Sequence, residues 1–170
     1  MDCACGNYTT AKARADELVE LANEKDAQVW VTWGTLEKGY LLALTGDAAG
    51  AVERMTPSIA ARRSMGSIVF LPAYLSALAK AHADLVQLEG AWRCLDEAMT
   101  LLETTKTTWC KAEVDRTAGE IALLEAKPDL AKAQERYTWH FADIRDDFAF
   151  VRYLNECVAK LGQWAFDRPK

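Results

Sequence analysis

Proline occurs four times and glycine nine times in 170 residues. Breakers so few and so evenly spread leave room for long helices, and no segment shows a convincing strand-like alternation. Histidine is scarcer still, with only His82 and His140. A metal site on the Cys3-x-Cys5 pair would need two further ligands nearby, and the sequence offers none, so the pair reads as a frayed terminus. An excess of basic charge is also missing. Lys and Arg number 20 against 25 Asp and Glu, a net charge of −5, which argues against nucleic acid or an anionic membrane as partner. The longest apolar run, around "SIVFLPAYLSALAKA", is broken by Pro72 and ends at Lys80, too short to span a bilayer. The opening "MDCACGNYTT" has neither an apolar run nor a positive start, so it is no secretory signal. Five scattered cysteines, an odd number, fit free thiols in a reducing cytoplasm.

What is present is helix-forming. The chain is 51% hydrophobic and 26% charged, enough for one domain with a sizeable core. Ala, Leu, Glu and Lys dominate, and apolar residues recur at three and four. Turn signals fall at "NEKDAQ", at "LTGDAAG" with Gly46 as a stop and Asp47 as an N-cap, at "SMGS", at "LEGAW", at "TTKTT", at "AKPDL" and at "RDDF". Pro72 suits a first helical turn. This punctuation predicts eight helices, at 10–24, 28–45, 48–65, 70–88, 91–105, 109–126, 129–145 and 148–163, with residues 1–9 a flexible lead, 10–164 one domain and 165–170 a tail. Pro57 falls inside the third helix and should kink or divide it.

A period underlies the pattern. Trp30, Phe70, Trp109 and Phe148 each open a second helix, at spacings of 40, 39 and 39, and Ala43, Ala83 and Ala122 follow thirteen residues after the first three. Such spacing describes antiparallel helix pairs stacked one on the next. In the helix at 70–88, Leu71, Leu75, Leu78, His82 and Leu85 trace one face, while alternate alanines keep the backbone open to a neighbour. Ser76, Lys80, Asp84 and Gln87 form a narrow polar strip that should face solvent on the concave side.

The stretch "WCKAEVDRTAGEIALL" (109–124) could be an acid–base site or a packing surface. Val114, Ala118, Ile121 and Ala122 fall on one face, and Trp109, Ala112, Gly119 and Leu123 on another. Glu113–Arg116 and Arg116–Glu120 are then ion pairs at i,i+3 and i,i+4, worth roughly 0.2–0.5 kcal/mol each on an exposed helix. No nucleophile or metal set accompanies them, so structural pairing is the favoured reading. Cys94 and Cys110 read as small buried apolar residues. Arg62-Arg63 near a helix end complements the helix dipole. His140 with Asp143, Asp146 and Asp147 has a spacing that a metal could use, but a helix end running into an acidic cap explains it better.

These helical hairpins of about forty residues resemble tetratricopeptide repeats of the longer, degenerate kind. More narrowly, "WCKAEVDRTAGEIALL", "AWRCLDEAMTLLETT", "LPAYLSALAKAHADL" and "GYLLALTGDAAGAV" resemble the C-terminal repeat region of bacterial class III adenylate/guanylate cyclase-type regulators. The similar stretch runs from about residue 6 to residue 135 and includes Glu113, Arg116, Gly119 and Glu120 as E-x-x-R-x-x-G-E. The resemblance implies an all-α, right-handed superhelix of hairpins, about eight helices in all. The chain has no Gly-Lys-Ser or Gly-Lys-Thr phosphate loop and no recognisable pair of cyclase aspartates, so catalysis is not expected of it.

After about Gln134 the resemblance fades into a segment holding eight of the sixteen aromatics. Phe148, Phe150, Tyr153 and Trp164 read as a seal on the end of the stack. The alternative is an apolar patch of Tyr137, Trp139, Phe141 and Trp164 for a second copy or a partner. The expected role is a protein–protein interaction or regulatory scaffold module, with another protein or peptide as partner, no cofactor, no metal and no catalytic residue. Lys38, Ser76, Lys80, Asp84 and Arg116 are its candidate surface. The alternative role is a sensor of a small ligand or peptide, relaying to a cyclase or transcription factor, with a pocket lined by Tyr40, Tyr74 and His82.

Overall fold

The computed structural model describes residues 7–125. Among them are six helices and no strand: α1 (Tyr8–Glu24), α2 (Gln28–Thr45), α3 (Ala48–Ser64), α4 (Leu71–Asp84), α5 (Leu88–Thr105) and α6 (Lys111–Leu123). The all-α class is therefore seen directly in these residues. The expectations for Cys3 and Cys5, for helices at 129–145 and 148–163, for His140 and its aspartates, and for the aromatic segment after Gln134 lie outside the described residues.

The first four helices stop by one device. A backbone N–H reaches five residues back to a helical carbonyl: Ala27 to Ala22 at 2.8 Å, Asp47 to Leu42 at 2.9 Å, Ser67 to Arg62 at 3.1 Å and Gln87 to His82 at 2.9 Å. The residue before each donor is left-handed, which is the Schellman way of satisfying the last carbonyls. These residues are Asp26, Gly46, Gly66 and Val86, and Lys106 adopts the same conformation after α5. The five positions stand 20 residues apart. Only two are glycine, so sequence inspection for glycine stops finds the others poorly.

Val86 shows why. The sequence reading runs the fourth helix to 88 and places a turn at Gly90. The structure ends α4 at Asp84 and starts α5 at Leu88. Val86 takes φ 61°, a conformation that costs an ordinary residue about 1–2 kcal/mol. Gly90 is used inside α5 instead. A Cβ there would lie 3.1 Å from Nδ1 of His82, so the bare glycine lets α5 close on α4. Pro57 is exposed and α3 continues through it as a single helix. The carbonyl that loses its donor to the proline belongs to exposed Glu53, where water can satisfy it.

Helix starts follow ordinary capping chemistry. The Asn7 side chain accepts the Thr10 N–H at 3.3 Å, and Asp47 accepts from Gly50 at 2.9 Å. Pro72 sits in the first turn of α4.

Helix α4 is the centre of the packing. It touches α2, α3, α5 and α6; α1 and α3 also pack on α2, and α5 packs on α6. Helices α2, α4 and α6 run side by side in one direction. Near their starts Trp33 meets Phe70 and Phe70 meets Trp109, with ring centroids 6.0 and 5.9 Å apart. Further along, Tyr74 bonds Glu37 and Ser76 bonds Thr117, and Lys80 reaches Glu120 near the ends. The core runs through all these contacts, from Leu36, Met55 and Ile59 through Leu71, Leu75 and Leu78 to Leu95, Val114 and Ile121.

Close approach depends on small residues. A Cβ on Gly39 would fall 2.6 Å from Cγ of Met55 and 3.2 Å from its backbone nitrogen, so α2 and α3 meet there almost without a side chain between them. Overfilling such a contact costs typically 1–3 kcal/mol. Gly39→Val should therefore lower the unfolding free energy by about 2 kcal/mol in urea titration with an unchanged slope; an unchanged midpoint would show that the contact yields freely.

Candidate interaction surface

Helix α4 exposes only Lys80 and Asp84, one turn apart. Ser76 does not join them. It is 1% exposed and its hydroxyl donates to Thr117 Oγ1 at 2.8 Å, so the strip expected to face solvent begins at Lys80. The reason is the neighbour: α6 lies over this turn of α4, and a serine short enough to be covered finds its partner there. Thr117 passes its own proton to the Glu113 carbonyl at 2.9 Å.

The remaining candidates fall into two groups. Lys38 of α2 bonds Asp16 of α1 at 2.5 Å, and Asp16 also accepts from Lys12 at 2.8 Å. The hydrogen bonds from Lys12 and then Lys38 hold the Asp16 carboxyl below its ordinary range. On α6, Arg116 forks onto Glu113 with contacts of 2.8 and 2.5 Å and bonds Glu120 through its other terminal nitrogen. Glu120 in turn stands 3.8 Å from the Lys80 ammonium. The guanidinium is pushed further above its ordinary value, first by the Glu113 hydrogen bond. Two acids and two bases thus alternate across the α4–α6 boundary. Lys38, Lys80 and Arg116 all present their charge already matched by carboxylates.

The packing side of α6 is more polar than its pattern implied. Asp115 is 3% exposed and accepts Lys111 Nζ at 2.6 Å, while Ala112, Val114, Ala118, Gly119, Ile121 and Ala122 are buried around it. Among the described residues, no group of three or more His, Cys, Asp or Glu is placed to hold a metal ion, and no helix is long and apolar enough to cross a membrane. Cys110 is buried, and burial pushes the Cys94 thiol up to about 11.

The residues considered for a sensor pocket each have their own contacts. Tyr40 and Tyr74 touch edge to face, with centroids 5.7 Å apart. His82 turns elsewhere, its Nδ1 lying 2.7 Å from Gln87 Oε1 and its ring lying against Gly90 of α5.

A second polar group was hidden from sequence reading. Tyr74 donates to Glu37 Oε1, and the Trp33 indole N–H reaches the same oxygen at 3.3 Å. Arg62, 2% exposed, lays its guanidinium 4.0 Å from the centre of the Trp33 ring and donates to Ser67 Oγ at 2.5 Å. Its Nε is buried without an acceptor. Burial pushes Glu37 above its ordinary value, although Tyr74, Trp33 and Arg62 all favour the ionised form. Burial also raises the Tyr74 phenol and lowers Arg62. The sequence signal was spacing. Met55, Ile59 and Arg62 stand at i, i+4 and i+7, which puts Arg62 on the core stripe of α3 while Arg63 turns outward to fork onto Glu97 at 2.6 and 2.5 Å.

No protein family, curated protein or solved structure matches the chain.

The Ser76–Thr117 bond is a buried pair, and stranding one partner costs about 1–3 kcal/mol whereas removing both costs less. Thr117→Val should destabilise by an amount in that range, and adding Ser76→Ala should return part of the loss. A double-mutant cycle in chemical denaturation reads the coupling; purely additive losses would mean that the bond contributes nothing specific.

Proposed function

We propose that this chain is a non-catalytic scaffold that holds another protein or peptide along one face of a tetratricopeptide-like array. One observation carries the reading: α2, α4 and α6 lie side by side in the same direction, with left-handed stops every 20 residues fixing the length of each helix-and-turn unit. Units of that kind favour stacked hairpins in a right-handed superhelix, and a helix from each pair then contributes to one extended surface. The likeness of "WCKAEVDRTAGEIALL" and its companion stretches to the repeat region of cyclase-type regulators is the support for a signalling setting. No observation favours the sensor reading: His82 is engaged with Gln87 and Gly90, and Tyr40 and Tyr74 meet each other.

The surface consists of Lys38, Lys80, Asp84 and Arg116, without Ser76. Its cations carry their carboxylate partners, Lys38 with Asp16 on one side and Lys80 and Arg116 with Glu120 and Glu113 on the other, so a partner meets charges of both signs and is selected by register more than by net attraction. These pairs are partly exposed, and Arg116 forks onto Glu113 within a small network. Replacing the four residues together by alanine should lower the unfolding free energy by about 1–2 kcal/mol and leave the chain folded. The same variant should lose about tenfold or more in affinity for the protein that wild type captures, read by quantitative mass spectrometry and then by titration of that protein. Capture that survives the four changes, or a variant that unfolds, overturns this assignment of the surface.

A further inference from the structure

Two buried ionisable groups share one indole. Glu37 is an acid whose burial disfavours its charge, and Arg62 is a buried base whose Nε has no acceptor. Trp33 holds both, bonding Glu37 through its N–H and carrying Arg62 on its ring face. No ion pair joins the two charges, although each lies within the other's field.

We propose that Glu37, Trp33 and Arg62 form a proton-operated joint between α2, α3 and α4: with Glu37 neutral the indole separates acid from guanidinium, and on ionisation the two charges pair directly and displace the indole. The displacement exchanges the indole's bond to the carboxylate and its contact with the guanidinium for one direct ion pair. The new carboxylate gains a cation, and the Arg62 Nε–H gains an acceptor. Tyr74 of α4 anchors Glu37 throughout, because its hydroxyl can donate to either form of the acid, so the indole and the guanidinium are the parts that move. The groups that act on Glu37 are Tyr74, Trp33 and Arg62, while Asp16 and Lys12 of α1 are engaged with each other and with Lys38 of α2. Arg62 is the cation from α3, and Tyr74, beside Tyr40, is the titratable group from α4.

Trp33 also stands in the chain of rings Trp30–Trp33–Phe70–Trp109, with successive centroids 6.0, 6.0 and 5.9 Å apart. A shift at Trp33 is therefore felt at the starts of α4 and α6. The sign is fixed. The folded chain binds a proton at Glu37 that the unfolded chain has released, so its contribution to stability is complete below the ordinary glutamate value of 4.5 and is lost as pH rises through the raised value.

The test titrates the whole chain from about pH 4 to about pH 9. Carboxyl carbon NMR follows Glu37, near-UV circular dichroism and tryptophan fluorescence follow the indole, and far-UV circular dichroism monitors the fold. The expected result is one reversible optical change whose midpoint coincides with Glu37 ionisation above 4.5, at constant helix content. Arg62→Met should raise that midpoint by about one unit or more, because ionisation loses its cation. Glu37→Gln should abolish the change. Trp33→Phe should remove the optical signal and leave a carboxyl titration. The joint is overturned if Glu37 titrates in the ordinary glutamate range, if it titrates high with no optical change, or if Glu37→Gln keeps the change. Should Glu37→Gln not fold, the carboxyl and optical titrations of the unaltered chain still decide the matter.

Discussion

A helix packed on four neighbours has almost no side left for polar groups, and α4 is in that position. Its sequence answers with alanines at the points of closest approach and leucines where space remains; Leu71, Leu75 and Ala79 are each 0–1% exposed. Two polar residues, Tyr74 and Ser76, are caught inside this cover. A buried hydroxyl without a partner is costly, so α2 and α6 must supply acceptors, and Glu37 and Thr117 do so. The polar contacts that align α2, α4 and α6 are in this sense consequences of crowding around α4. They also make the alignment specific, since sliding either neighbour by a residue strands a hydroxyl.

The ionised residues of 109–124 divide along the same line. Asp115 turns inward beside the core and is met by Lys111, whereas Glu113, Arg116 and Glu120 form a partly exposed row that continues to Lys80. Glu113 and Glu120 both face Arg116 and pair with it. What the row offers is position: charges in fixed alternation along neighbouring helices, on the side where α4 exposes only Lys80 and Asp84.

Much of the helical order was legible from spacing and from a few strong signals. Asn, Asp and Gly act through local backbone chemistry, so Gly46, Asp47 and Gly66 mark their turns whatever lies around them. Val86 carries no such signal. Its left-handed turn is imposed by the helices on either side, and Gly90, which looked like the turn, is spent on contact with His82. The surface was legible in part for a similar reason. Lys80, Asp84 and Arg116 are too long or too charged to bury alone, but Ser76 is small enough to go either way, and its place depends on α6. Arg62 was misplaced because an arginine near a helix end has an ordinary explanation; only its register with Met55 and Ile59 reveals that it points inward.

The even separation of the left-handed stops has a geometric corollary. An α-helix turns by about 100° per residue, so one residue gained or lost inside α4 would rotate everything beyond it by that angle. Tyr74 and Ser76 would then be turned by that angle relative to Lys80 and Asp84, and the two sets could no longer meet their partners together. The connectors, such as the turn at Val86, which is 82% exposed, are where a change of length disturbs this register least. Within α4, by contrast, the residue count itself is part of the fit between the core and the charges at its end.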